Sequence, residues 1–295
     1  MISVIICSRN THPPAVFSAS LQQSIGVAYE VICIDNSSNT YSICSAYNKG
    51  ALMSRFDILC FVHDDVLFHT GGWGNTIANM LQSNQCGVIA VAGATIKTAA
   101  PSPWWITNYC KLPYLHSHII QHSSKGSTLN TSFANAAPAA AVPVVVTDGV
   151  LMCCHKKLWQ QYPFDEQRYT GFHFYDMDFS ATLHQHGYTN YVTNAVLIEH
   201  LSAGRLSREW AEAAIVFHKK WKKQLPMFAA NAGVDAKALQ LAEAEAWKGW
   251  LIELCRTKYK GIVLWCSYWL QYWLLRPMHK SSYALLLRRI IKGRV

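Results

Sequence analysis

Ile58-Leu59-Cys60-Phe61-Val62-His63-Asp64-Asp65 places five apolar residues in succession and then stops on three polar ones. A strand covered on one face alternates apolar with polar residues, whereas a strand buried on both faces reads as an unbroken apolar run. Five residues are too short for a helix, so the run reads as a strand with protein on both sides. Related β-rich runs occur at Ser3–Cys7, Glu30–Ile34, Gly87–Ala92, Val142–Val146 and Tyr191–Ile198, and segments such as Tyr41–Arg55 and Trp73–Gln82 have helix-compatible patterning. Strands and helices in alternation predict an α/β domain with a mainly parallel central sheet flanked by helices.

Three of these runs end abruptly on polar clusters: Ser8-Arg9-Asn10, Asp35-Asn36-Ser37-Ser38-Asn39 and His63-Asp64-Asp65. In an open parallel sheet, ligands bind in the crevice beyond the carboxyl ends of the strands, so the three clusters are expected to converge on one edge.

The totals set the boundaries. A chain of 295 residues exceeds one compact domain, and 51% apolar residues suffice for a sizeable core, while 15% charged residues exclude a largely disordered chain. Residues 1–204 carry 9 Lys+Arg against 11 Asp+Glu, but residues 205–295 carry 17 against 6, so the net charge of +9 belongs to the tail. We therefore expect an α/β domain over residues 1–206 and a basic, aromatic-rich helical extension over 207–295. Residues 99–143, rich in Pro, Ser, His, Asn and Ala with aromatic Trp104-Trp105, are expected to form an insertion or loop beside the mouth of the site. Several of the ten cysteines lie in apolar runs and none forms a Cys-x-x-Cys pair. That speaks for a reducing compartment and against a zinc or thioredoxin-like centre. The N-terminus begins directly with an apolar run and has no secretory pattern, so a cytoplasmic setting is expected.

Two acidic clusters can do chemistry. Asp64 and Asp65 repel one another at the end of a buried strand, and a hard cation such as Mg²⁺ or Mn²⁺ resolves this by taking carboxylate oxygens and further oxygens from a diphosphate. An acidic turn or helix cap is the plainer alternative. In Tyr175-Asp176-Met177-Asp178-Phe179, both acids would occupy the first turn of a helix, where the dipole favours negative charge. One of them could instead act as a general base.

Taken in order, strand–Asp35, strand–His63-Asp64-Asp65, Thr147-Asp148-Gly149-Val150-Leu151-Met152, Phe164-Asp165-Glu166, Gly171-Phe172, Asp176-Met177-Asp178 and Ile198-Glu199-His200 resemble the inverting family 2 glycosyltransferases of the GT-A fold, over about residues 1–205. The resemblance implies that Asp35 holds the nucleobase with Ser8 and Arg9 nearby, that Ser37 and Asn48 lie on the donor side, and that Asp64 contacts the ribose or sugar. It further implies Asp65 and His200 as metal ligands, Asp148, Gly149 and Trp105 on the acceptor side, and Asp176 as the base, with Asp178 the other candidate. The implied cofactor is Mn²⁺ or Mg²⁺. The implied partners are a UDP- or dTDP-linked sugar donor and a glycan or lipid-linked acceptor. The sequence departs from the family pattern at Tyr175, where a Glu commonly precedes the base, and at His63, where many relatives place an Asp.

The extension carries Ile262–Leu275, rich in Trp and Tyr and bounded by Lys258, Lys260 and Arg276. Fourteen residues are too few to cross a bilayer, which needs about 20. The composition suits a helix lying in the interface on the cytoplasmic face of the inner membrane. Nucleic-acid binding by the tail is disfavoured because this run is more apolar than such a groove requires. A sugar nucleotidyltransferase competes on fold, but Ser8-Arg9-Asn10-Thr11-His12-Pro13 lacks its Gly-rich phosphate loop. A non-catalytic scaffold binding membrane or nucleic acid is the remaining alternative.

Overall fold

The computed structural model describes residues 1–105, 114–122, 128–130, 141–202, 206–230, 232–257, 259, 261–277, 279–280 and 283–284. The chain opens with β1 (Ile2–Ser8), α1 (Ala15–Ser24), β2 (Tyr29–Asp35), α2 (Ile43–Met53), β3 (Ile58–Val62), β4 (Val66–Phe68) and α3 (Trp73–Met80). There follow β5 (Cys86–Ala90), β6 (Ala92–Ala94), β7 (Ile96–Lys97), β8 (Leu115–Ser117), β9 (Ile119–His122), β10 (Thr128–Asn130), β11 (Ala141–Val144) and β12 (Val146–Thr147). The second half holds β13 (Leu151–His155), α4 (Lys156–Gln161), α5 (Tyr175–Gln185), β14 (Thr189–Thr193) and β15 (Ile198–His200). It closes with α6 (Arg208–Trp221), β16 (Met227–Phe228), α7 (Ala236–Arg256) and α8 (Ile262–Leu275).

The central sheet has seven strands in the order β11-β14-β5-β13-β3-β1-β2. Strands β2, β1, β3, β5 and β14 run one way and β13 and β11 the other, so the sheet is mainly parallel as expected. Strand β3 shows why its sequence is continuous. Leu59 and Phe61 enter one apolar cluster with α2, α5 and the C-terminal helices, while Ile58, Cys60 and Val62 enter the other with α1 and α3. Burying each large aliphatic or aromatic side chain of this kind contributes about 1.5–3 kcal/mol.

The expected strands are corrected at several places. Tyr191–Ile198, Gly87–Ala92 and Val142–Val146 are not single strands: they divide between β14 and β15, β5 and β6, and β11 and β12, and the two members of each pair belong to different sheets. Leu151–His155, not anticipated as a strand, is β13 in the middle of the sheet, antiparallel to both β3 and β5. The region 99–143, expected as an insertion or loop, holds paired strands: β8 pairs with β6, and β9 pairs with both β15 and β10. Its pattern Leu115-His116-Ser117-His118 offers no apolar run, and its pairing depends on partners distant in sequence.

The composition changes at residue 207, but packing runs across that point. Ser207 caps α6, its side chain accepting from Trp210 N at 3.3 Å, and Asp235 caps α7 through Ala238 N at 2.7 Å. Phe174 lies against Trp210 and Phe217 with ring centroids 5.8 and 5.7 Å apart. Trp210 in turn meets Trp250 at 5.8 Å, and Trp247 meets Tyr268 at 5.5 Å. Helices α6, α7 and α8 thus share one core with α2 and α5.

Candidate active site

Strand β3 delivers His63, Asp64 and Asp65 to the carboxyl edge of the sheet, and the short β4 that follows pairs antiparallel with β15, bringing Val66 opposite His200. Leu201 N donates to Asp65 O at 3.0 Å and closes this junction. His200 Nε2 consequently lies 3.4 Å from Asp65 Oδ1 and 3.4 Å from His63 Nδ1. The potential ligand atoms of His63, Asp65 and His200 all lie within 4.8 Å of one another. Burial acts to raise the Asp65 carboxyl, but hydrogen bonding and the charge of His200 outweigh it and hold it well below the usual range. Two imidazole nitrogens and one carboxylate oxygen form a donor set that fits a divalent transition cation, and it suits Mn²⁺ better than the all-oxygen preference of Mg²⁺. His63, read from the sequence only as a departure, completes the group. Its signal was its place in a strand-end His-x-Asp triplet.

Asp176 stands in the first turn of α5, half-buried. Its carboxylate accepts from Gly149 N and from Met177 N, both at 2.8 Å. Burial, then the charge of Asp148, push its carboxyl up to about 7, against the pull of the two N–H groups. Such a carboxylate is suited to taking a proton near neutrality. The preceding Tyr175 joins Asp176 to the cation group: its hydroxyl donates to Gly149 O at 3.2 Å and sits 3.2 Å from His63 Nε2. The close approach needs glycine, because a Cβ at Gly149 would collide with the Tyr175 hydroxyl.

Asp178 is placed otherwise. It is 3% exposed, and its oxygens accept from Tyr169 Oη (3.0 Å), Trp221 Nε1 (2.8 Å) and Lys220 Nζ (2.7 Å). Facing the interior and tying α5 to α6, it is not positioned as a base.

At the carboxyl ends of β1 and β2, Ser8 Oγ donates to Asp64 Oδ2 at 2.5 Å, and Ser8 is in register with Asp35. Asp35 is exposed at the end of β2, and its carboxylate accepts from Ser37 N at 2.8 Å. Arg9 is exposed just beyond Ser8. These residues line one edge as expected. Asn48 does not join them. Its Oδ1 accepts from Trp159 Nε1 (3.0 Å) and Phe164 N (3.1 Å), and its Nδ2 donates to Phe164 O (2.9 Å) and Glu166 Oε2 (3.0 Å). The amide is spent on joining α2 to the segment after α4, which corrects its donor-side assignment.

Asp148, expected on the acceptor side, accepts from Val150 N at 2.8 Å and from the indole of Trp104 at 2.6 Å. The indole that reaches this carboxylate is thus Trp104, whereas the expectation named its half-buried neighbour Trp105. Phe172, 51% exposed, lies 5.4 Å from the ring of His63 and offers an apolar face at the mouth. Neither Trp104 nor Phe172 could be chosen from sequence, because aromatic residues are abundant throughout the chain.

A family model described as "Glycosyltransferase like family" matches residues 3–221. No curated protein matches the chain. Among solved structures, the chain is similar to GalNAc-T7 with UDP, GalNAc and Mn²⁺, at 10% identity over 88% of this chain and 57% of that one, with a TM-score of 0.49. A mannosyltransferase from Pyrobaculum calidifontis in complex with GDP-Man and Mn²⁺ is similar at 10% identity over 99% and 88%, with a TM-score of 0.47. TarS from S. aureus is similar at 11% identity over 99% and 52%, with a TM-score of 0.48. The chain therefore spans little more than half the length of the first and the third.

Proposed function

We propose that this chain, which belongs to the glycosyltransferase-like family, moves a sugar from a nucleotide-diphospho-sugar to a hydroxyl of a glycan or lipid-linked acceptor, with inversion and with the help of a divalent cation. The observation that carries the reading is the junction of two functions in one connected set: the ligand group His63, Asp65 and His200, and the raised carboxylate of Asp176, joined through Tyr175 and Gly149.

Bound by those three side chains, a divalent cation would neutralise the diphosphate leaving group. Asp176 would accept the proton of the acceptor hydroxyl as its oxygen bonds to the anomeric carbon and the bond to the diphosphate breaks. Attack from the face opposite the leaving group inverts the configuration. Ser8 holds Asp64 in position for the donor's ribose or sugar. The exposed Asp35 can accept the imide N–H that uracil and thymine share, which supports a UDP- or dTDP-linked donor. Trp104 and Asp148 border the acceptor side.

A membrane-attached acceptor is supported by α8. Trp265, Tyr268 and Tyr272 are buried against the body, while Ile262, Val263, Leu270 and Leu274 are 52%, 82%, 47% and 59% exposed. Among the described residues no helix is long and apolar enough to cross a membrane. An apolar helix face in a segment of 17 Lys+Arg against 6 Asp+Glu fits peripheral attachment to an anionic cytoplasmic surface.

The test is Asp176→Asn with a panel of nucleotide sugars and Mn²⁺. Transfer should fall by about 10²–10⁴-fold while donor binding stays near that of the wild type. Near-wild-type transfer would remove Asp176 as base.

A further inference from the structure

Each imidazole of the cation group has a second nitrogen, and the partner of that outer nitrogen decides whether the inner one can offer a lone pair. For His200, the outer Nδ1 lies 3.0 Å from Gln121 Oε1. The orientation of this amide is pinned from its other side. Gln121 Nε2 donates to the carbonyl oxygens of Ser202, His122 (3.0 Å) and His200 (3.5 Å), none of which could face an amide oxygen. Gln121 Oε1 must then be the acceptor, so His200 carries its proton on Nδ1 and its Nε2 is a lone pair. For His63, the outer Nε2 lies 3.2 Å from the hydroxyl of Tyr175, whose own proton goes to Gly149 O. The hydroxyl oxygen therefore accepts from His63 Nε2–H, which leaves the lone pair on Nδ1.

Both lone pairs and Asp65 Oδ1 point at one another across 3.4 Å contacts, with the hydroxyl of Ser202 also 3.4 Å from His200 Nε2. With His200 neutral, three acceptors so arranged repel unless a positive charge enters: either a proton on His200 Nε2, which then donates to Asp65, or a cation held by the lone pairs. Gln121 stands on β9 directly opposite His200 on β15, and Tyr175 is buried at the start of α5. Neither outer partner belongs to the turn that carries Asp65.

We propose that Gln121 and Tyr175 are positioning residues of the cation site, each holding the outer N–H of one imidazole so that His200 Nε2 and His63 Nδ1 face the cation as ready lone pairs. The inference rests on the cation reading given above and extends it to two residues outside the ligand set. Because Tyr175 also bonds Gly149, whose N–H holds Asp176, the same hydroxyl sets the ligand and the base in a common frame.

Two measurements on the full chain test it. The first is the tautomer of each ring by long-range ¹H–¹⁵N spectroscopy of metal-free protein labelled in its histidines, at a pH where the rings are neutral. His200 should appear as the Nδ1–H form and His63 as Nε2–H, and Tyr175→Phe should turn His63 into a mixture. The reverse tautomer in either ring overturns the proposal. The second is Mn²⁺ affinity from electron paramagnetic resonance titration. Tyr175→Phe and Gln121→Leu should each weaken binding by about 10–100-fold, whereas Gln121→Glu, which retains an acceptor, should bind far more tightly than Gln121→Leu. If the wild type binds Mn²⁺ and His63→Ala abolishes binding, but Tyr175→Phe and Gln121→Leu bind as the wild type does, this inference fails and the cation reading stands. If the wild type binds no Mn²⁺, both fail.

Discussion

Asp178→Asn separates the two carboxylates of α5 most cleanly. Asn can keep Oδ1 as acceptor for Tyr169 Oη and Trp221 Nε1, but its amide group would then face Lys220 Nζ where Asp178 Oδ2 now accepts at 2.7 Å. One charge-assisted bond is lost, an interaction of about 1.5–3 kcal/mol. The Lys220 side chain is 23% exposed, so water takes over part of its solvation, and Asp165 remains as a second anion at 3.1 Å. A loss of about 2 kcal/mol is expected, which for a chain of this size lowers the melting temperature by roughly 4–8 °C. Transfer rate per folded enzyme should stay within a few-fold of the wild type, because no atom of Asp178 faces the crevice. Thermal melts and initial transfer rates on the same preparations read both quantities. An Asp178→Asn protein that melts like the wild type and yet transfers no sugar would refute the structural role and return Asp178 to the catalytic machinery.

Further outcomes follow from the same geometry. With its carboxyl pushed up to about 7, Asp176 in the proposed role of base would work only when deprotonated. Transfer should therefore rise about tenfold between pH 6 and pH 8, and an initial-rate profile flat above pH 5 would contradict this. Asp148→Asn, which removes the neighbouring charge, should move that rise to lower pH; an unmoved midpoint would show that Asp148 does not act on the base. EDTA should abolish transfer, Mn²⁺ should restore it better than Mg²⁺, and His63→Asp should narrow the gap by replacing a nitrogen ligand with oxygen; equal rescue of the wild type by both ions would refute the assignment of His63. Finally, Val263→Glu with Leu270→Glu should reduce partition onto anionic liposomes while leaving transfer to a soluble acceptor unchanged, and undiminished liposome binding would remove α8 as the contact.

Local chemistry carried much of the architecture into the sequence. The run Ile58–Val62 matches β3 residue for residue, because a strand buried on both faces needs apolar side chains at every position. The polar strand ends at Ser8, Asp35 and Asp64 were readable too, because parallel strands place their carboxyl ends along one edge.

Pairings between distant segments decided the rest. His63 gains its meaning only when β4 and β15 zip together and set His200 beside it. Asn48, Asp178 and Trp104 could each have faced the crevice or the interior, and their partners Phe164, Lys220 and Asp148 lie 116, 42 and 44 residues away. From the sequence alone came an α/β sheet, its polar edge and an acidic pair at a strand end. Which nitrogens and which carboxylate come together there was decided by tertiary contacts, because a side chain's chemistry is local but its orientation depends on what folds against it.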